Sequence, residues 1–157
     1  MEKTFVILKP GTVQRGLIGE IIARFEKKGL QLAGMKMEQL TPEILTEHYG
    51  HLSSKPFFPT ILASMMASPV VLCCWKGVDA IKVVRSLCGV TNSRDAAPGT
   101  IRGDLGMSVQ ENVVHASDSP ETAEAEINRF FKPEELFDYE SATLRFTYSS
   151  DELKMKP

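Results

Sequence analysis

The sequence predicts an α+β fold, a ferredoxin-like βαββαβ antiparallel four-stranded sheet with extra helices. Three observations carry this expectation. Apolar runs of strand length occur at residues 4–9, 30–40 and 70–75 and in the stretch that ends at His115. Helical periodicity separates the first run from the second and the third from the fourth. Only short helical stretches separate the second from the third, and they are set aside as insertions. The pattern predicts helices on one face of the sheet.

Residues 4–9, a continuous apolar run ending in Lys9, suit a central strand buried on both faces. Pro10-Gly11-Thr12 predicts a turn. From 17 to 28, Leu17, Ile18, Ile21, Ile22 and Phe25 share one helix face. Lys27 and Lys28 suit the negative end of that helix, and Gly29 suits a left-handed cap. In the second strand, alternation begins at Leu30 and Leu32 and resumes at Met35 and Met37. The slip at Ala33-Gly34 predicts a bulge. Both methionines are expected to fill the core.

Thr41 and Pro42 open a helix as cap and first-turn residue, and Gly50 is expected to end it. Phe57-Phe58-Pro59 begins a short helix running through Met66. Residues 70–75 are the third strand. Residues 78–88 form a helix with Ala80, Ile81, Val84, Leu87 and Cys88 inward and Gly89 as its stop. Residues 90–105 lack periodicity and predict a long loop, a feature that is often functional in a compact domain. Val113 and Val114 are the buried end of the fourth strand. Ser119-Pro120 then starts a helix with Ala123, Ile127, Phe130 and Phe131 inward. Residues 149–157 predict a polar, weakly ordered tail, and residues 1–157 together a single domain.

Composition removes several function classes. Hydrophobic residues make up 43% of the 157, enough for a real core. The net charge of -2 offers no basic footprint for nucleic acid or an anionic membrane. The longest apolar region, 61–75, is broken by Ser64, Ser68 and Pro69 and is too short to span a bilayer. Cys73, Cys74 and Cys88 lack metal-ligand spacing and suggest reduced core thiols, hence a cytoplasmic protein. No Walker loop, G-x-G-x-x-G or protein-kinase motif set is present.

The remaining signal gathers around His115, held where a strand stops and a helix is about to begin. Unpaired N–H groups at a helix start favour anions. An imidazole there can act as base, ligand or nucleophile, or can merely satisfy a hydrogen bond. Lys9 is oddly placed for a strand end unless it serves a site. Arg85 is either a surface arginine or one reaching over the core edge. Arg102, between the glycines of Gly99-Thr100-Ile101-Arg102-Gly103-Asp104, can clamp a phosphate. Phe57 and Phe58 are either both core, the favoured alternative, or include a stacking platform.

Taken together, these motifs resemble one family. They are Lys9-Pro10, Val13-Gln14-Arg15-Gly16, Arg24-Phe25-Glu26, His48-Tyr49, Lys55-Pro56-Phe57-Phe58-Pro59, Pro98-Gly99-Thr100-Ile101-Arg102-Gly103-Asp104 and Asn112-Val113-Val114-His115-Ala116-Ser117-Asp118. In this order they resemble the nucleoside diphosphate kinases over residues 4–148. The resemblance implies transfer of the γ-phosphate of a nucleoside triphosphate, typically ATP, to a nucleoside diphosphate. It implies ping-pong kinetics through a phosphohistidine on His115 (the pros isomer) and broad base specificity. Lys9 and Asn112 match residues at the sugar hydroxyl and the transferring phosphoryl group, and Tyr49 the tyrosine near the histidine. Phe57 matches the base-stacking aromatic, with Ile61 beside it. Arg85, Thr91 and Arg102 match phosphate ligands, and Ser117 and Glu126 the residues that orient the histidine. Mg2+ is implied, held mainly through nucleotide phosphates with no protein ligand assigned. A homo-oligomer is implied, a hexamer ahead of a tetramer, with no membrane and no specific nucleic acid as partners.

Two other readings compete. One is a regulatory or nucleic-acid-binding module on the same sheet. The other is a catalytically weak family member acting as a nucleotide-binding or assembly module. Three departures bear on the second. Gly11 stands where the family usually has Asp, Ala116 where it often has Gly, and Ser93 where many members carry proline.

Overall fold

The computed structural model describes residues 1–154. Strands β1 (Glu2–Leu8), β2 (Gln31–Glu38), β3 (Val70–Gly77) and β4 (Val114–Ala116) form one sheet in the order β2-β3-β1-β4. Every neighbouring pair is antiparallel. This is the expected ferredoxin-like arrangement, with β1 at the centre beside β4 and β3. The predicted bulge lies in β2, where the register with β3 shifts between Leu32 and Gly34.

Helices cover both faces of the sheet, a correction to the one-faced expectation. Val6 and Leu8 pack with Ile21 and Phe25 of α2 (Ile18–Lys28) and with Ala80 and Val84 of α5 (Ala80–Cys88). Phe5 and Ile7 point the other way. They pack with Leu45 of α3 (Pro42–His48), Ile61 and Met65 of α4 (Phe58–Met66), and Phe130 of α7 (Pro120–Phe130). The reason is in the strand itself: successive side chains alternate faces, so a run apolar at every position needs cover on both. The caps follow the sequence. Gly29 adopts φ 108 beyond α2, and Thr41 and Ser119 accept backbone N–H groups at the starts of α3 and α7.

Other expectations fail locally. Pro10-Gly11-Thr12 is not a turn but the start of α1 (Pro10–Gln14), a helix too short to show periodicity. Met35 and Met37 are 51% and 59% exposed rather than core, because β2 is an edge strand with one face uncovered there. The 90–105 stretch ends in α6 (Ile101–Leu105), capped by the Thr100 side chain. The helix after Thr41 stops at His48, before Gly50, which opens a 3-10 turn (Gly50–Leu52). Following α7 come α8 (Leu144–Thr147) and α9 (Ser150–Lys154). The tail is therefore helical over 150–154, and the expectation for 155–157 lies outside the described residues.

Candidate active site

His115 is the middle residue of β4, paired with Ile7 of the central strand, rather than the strand's last residue. Val113, expected within the strand, precedes it with φ 77. The Val114 N–H donates to the Asn112 carbonyl at 2.9 Å, closing a three-residue turn around Val113. Positive φ is a genuine outlier for a β-branched residue and stores strain on the order of 1–3 kcal/mol. The surroundings over-determine it. The Val113 carbonyl accepts from the Lys9 N–H at 3.0 Å and from the Thr12 hydroxyl at 2.6 Å. Arg102 donates to the carbonyls on either side, Asn112 at 3.1 Å and Val114 at 2.6 Å, and to Gly89 at 2.8 Å.

One ring nitrogen of His115 is engaged. Nε2 lies 2.9 and 3.1 Å from the two oxygens of Glu126. Glu126 projects from α7 and also accepts the Ser117 hydroxyl at 2.5 Å. Burial works against ionisation of Glu126. The His115 and Ser117 hydrogen bonds and the neighbouring histidines outweigh it and hold the carboxyl below its usual range. An ionised Glu126 can only accept, so it accepts a hydrogen bond from the His115 Nε2–H and leaves the lone pair on Nδ1. The His115 side chain is 22% exposed, open enough to meet a substrate.

Lys9 caps α1 and turns its ammonium onto Asn112 Oδ1 at 2.6 Å and the Gln110 carbonyl at 3.1 Å. Asn112 also donates to the Thr91 carbonyl at 3.0 Å. Burial, then the Arg102 charge, lower the Lys9 pKa to about 8 against an opposing pull from Glu111. Tyr49 sits edge-on to His48 at 4.5 Å, its hydroxyl pushed up to about 12 by burial and by Glu126.

The other sequence candidates separate. Phe57 is 50% exposed at the start of α4 while Phe58 is buried, so the reading of both as core is wrong. A helix that buries one face leaves its first aromatic outside. Ile61 packs into the core cluster behind it. Arg85 is exposed on α5, with Nη1 3.4 Å from the Ala116 carbonyl. Arg102 is a buried residue of α6 rather than a free loop arginine.

Of the three departures, Ser93 has a local explanation, while nothing in the structure requires Gly11 or Ala116. Gly11 lies in α1 without a positive φ, and a Cβ there would meet Glu111 Oε2 at 3.6 Å. The Ser93 N–H donates to the Ser108 carbonyl at 3.4 Å, a bond proline could not make.

Sequence reasoning missed three side chains. Thr12 read as part of a turn, His48 as half of a motif without a role, and Arg129 not at all. Arg129 donates to His48 Nδ1 at 2.9 Å, and His48 lies edge-on to His115 at 4.8 Å. The only prior signal was the i,i+3 spacing of Glu126 and Arg129 on a helix. Among the described residues, His48, His115 and Glu126 form a group of metal-type donors within 4.8 Å of one another. That nitrogen-rich set does not suit magnesium, which takes oxygen ligands in octahedral geometry.

The family model for nucleoside diphosphate kinase matches residues 2–136. The nucleoside diphosphate kinase of Parabacteroides distasonis is 70% identical over 152 residues, 97% of this chain and 99% of its own. That of Pyrococcus horikoshii is 54% identical over 90% of this chain and 92% of its own. Among solved structures, the halophilic nucleoside diphosphate kinase from Halobacterium salinarum in complex with CDP superposes with a TM-score of 0.91 at 43% identity. The match covers 94% of this chain and 98% of that one.

Proposed function

The chain belongs to the nucleoside diphosphate kinase family, and from that premise we propose how its residues divide the work. The reaction moves the γ-phosphate of a nucleoside triphosphate to a nucleoside diphosphate, in two half-reactions through a phosphohistidine. We assign the phosphohistidine to His115. The observation that carries the assignment is the contact of its Nε2 with Glu126, which leaves Nδ1 as the nucleophile.

Nδ1 attacks the γ-phosphorus in line, the P–N bond forms, and the bond to the β-phosphate oxygen breaks. The Nε2 proton stays in place, and Glu126, fixed by Ser117, balances the positive charge of the phosphorylated ring. An oxygen of the second nucleotide's terminal phosphate then attacks phosphorus and returns the histidine. Positioning and charge neutralisation dominate such transfers, so Lys9, Arg85, Arg102 and Thr91 are read as the phosphate and sugar contacts, with Asn112 and Tyr49 beside them. Phe57 stacks on the base with Ile61 behind it, a contact indifferent to base identity. The bound CDP of the halobacterial relative supports the acceptor class.

The reaction uses a divalent cation, and we propose Mg2+. It arrives on the nucleotide phosphates as part of the substrate, since the chain's own donor group does not suit it. Transfer is kept by the connected His115–Glu126–Ser117 geometry, which argues against the weak assembly module. We read the chain as one domain. Buried, free cysteines with thiols pushed up to about 12 (Cys73) and 11 (Cys74, Cys88) suit a reducing cytoplasm. Exposed Met35 and Met37 on an edge strand suit a homo-oligomer, and the preference for a hexamer over a tetramer rests on the family resemblance alone.

The test is phosphorylation by γ-labelled ATP. The wild type should yield an acid-labile, base-stable phosphoenzyme, and His115→Gln should yield none while melting like the wild type. A labelled H115Q protein would refute the assignment.

A further inference from the structure

His48 is buried against the catalytic histidine, with its side chain 1% exposed. It faces Glu126 at 3.4 Å, His115 edge-on, and the Tyr49 and Phe130 rings. Its Nδ1 lies within reach of two groups of opposite character, the Glu126 carboxylate and the Arg129 guanidinium. A guanidinium has no acceptor, so the 2.9 Å contact requires Nδ1 to accept. The His48 proton then sits on Nε2, and Nδ1 has nothing to donate to Glu126. Burial, and next the His115 charge, hold the His48 pKa down at about 3, so the doubly protonated ring is not available either.

We propose that Arg129 and His48 are positioning residues that set the tautomer of the catalytic histidine. Arg129 fixes His48 as an acceptor, His48 therefore cannot compete for Glu126, and Glu126 is left to bind the Nε2 proton of His115. Two hydrogen bonds carry this, Arg129 of α7 to His48 of α3 and His115 of β4 to Glu126 of α7, with His48 and Glu126 in proximity at 3.4 Å but not bonded. Without Arg129, His48 Nδ1 gains the proton and donates to Glu126, which weakens its hold on His115. The imidazole proton then redistributes to Nδ1, where the nucleophilic lone pair is needed. Glu47 lies 3.5 Å from the Arg129 Nε as a loose, largely exposed ion partner without a hydrogen bond. This inference rests on His115 Nδ1 being the nucleophile.

The test reads histidine tautomers directly, by 15N shifts in the full-length resting enzyme without nucleotide. Both His48 and His115 should carry the proton on Nε2. A wild-type His48 protonated on Nδ1 would overturn the proposal, whatever any variant does. In Arg129→Met, the Nδ1-protonated fraction of His115 should rise and phosphoenzyme formation slow about tenfold. Arg129→Lys, which keeps a donor, should stay within about threefold of wild type. Removing the freed donor as well, in R129M/H48F, should recover most of the rate. Unchanged tautomers in R129M, or a loss that persists in the double variant at an unchanged melting temperature, would sink the idea. Because tautomers are read before any transfer, their failure is distinct from a failure of His115 as nucleophile, which H115Q reports.

Discussion

On the α6 flank of β4, Arg102 gives its guanidinium to backbone carbonyls; on the α7 flank, Glu126 gives its carboxylate to side chains. Both groups are buried charges, one bonded to the backbone beside His115 and the other to the His115 ring, and they solve the desolvation problem differently. Arg102 satisfies three carbonyls, at Gly89, Asn112 and Val114, and so fixes the path of the chain through the strained Val113. Glu126 binds His115 and Ser117, and so fixes where a proton sits. One flank holds shape and the other holds protonation. Strain at Val113 needs the first, because nothing in the sequence of the turn favours a positive φ for valine.

If that division is right, removing the two charges should give opposite readouts. The largest effect is expected for Arg102→Ala. It strands three carbonyls around a strained turn, at roughly 1–3 kcal/mol for each buried group left without a partner. Summed over the three carbonyls, and allowing for water entering the gap, urea unfolding should show a loss of about 3–5 kcal/mol. Phosphate binding should weaken in the same variant. A stable R102A with only its KM raised would show that Arg102 serves the substrate alone and that the two flanks do not divide as described.

Glu126→Gln tests the other flank. The amide keeps the volume and can still accept, but its NH2 group can donate to Nε2 and so drive the His115 proton onto Nδ1. Loss of the group that orients a metal-bound histidine costs about 10–100-fold, and the same scale is expected for this oriented histidine. Phosphoenzyme formation in E126Q should slow by that factor, measured in a single turnover, while the urea midpoint moves little. If the urea midpoint instead falls as far as in R102A, Glu126 is holding the fold rather than the proton.

The contrast also bears on what the sequence revealed. Elements with a full period of apolar residues were legible: the strands, α2, α4, α5 and α7, and the β2 bulge through its slipped alternation. So was the set of candidate residues, because the residues from Asn112 to Asp118 carry a specific motif. The contacts that make the set work were not. Lys9 and Thr12 grip residues about a hundred positions away, and Arg129 reaches His48 across 81. Such pairings follow from tertiary approach, which no local pattern encodes. Short helices α1 and α6 were hidden because five residues cannot display a 3.6-residue period. Exposure of Met35 and Met37 was hidden because alternation says which residues share a face but not whether that face is covered.

Lys9 ties the two flanks together, and it gives the smallest expected effect. Its ammonium is held by Asn112 and Gln110 on the shape-holding side, yet its proposed task is charge. Burial and Arg102 lower its pKa to about 8, and Glu111 pulls it only partly back. The sign follows directly: the working form is the cation, so activity should be full below that value and fall as pH rises through it. An ordinary lysine would hold its charge to about 10.4. The pH profile of kcat/KM reports groups of the free enzyme and should therefore show a basic limb near pH 8. At pH 7 the loss is slight, since roughly nine lysines in ten remain charged at one unit below the pKa. Lys9→Arg should remove that limb, because a guanidinium stays protonated throughout, at some cost in fit to Asn112. A limb that persists unchanged in K9R belongs to another group, and Lys9 would then count with the residues that hold shape.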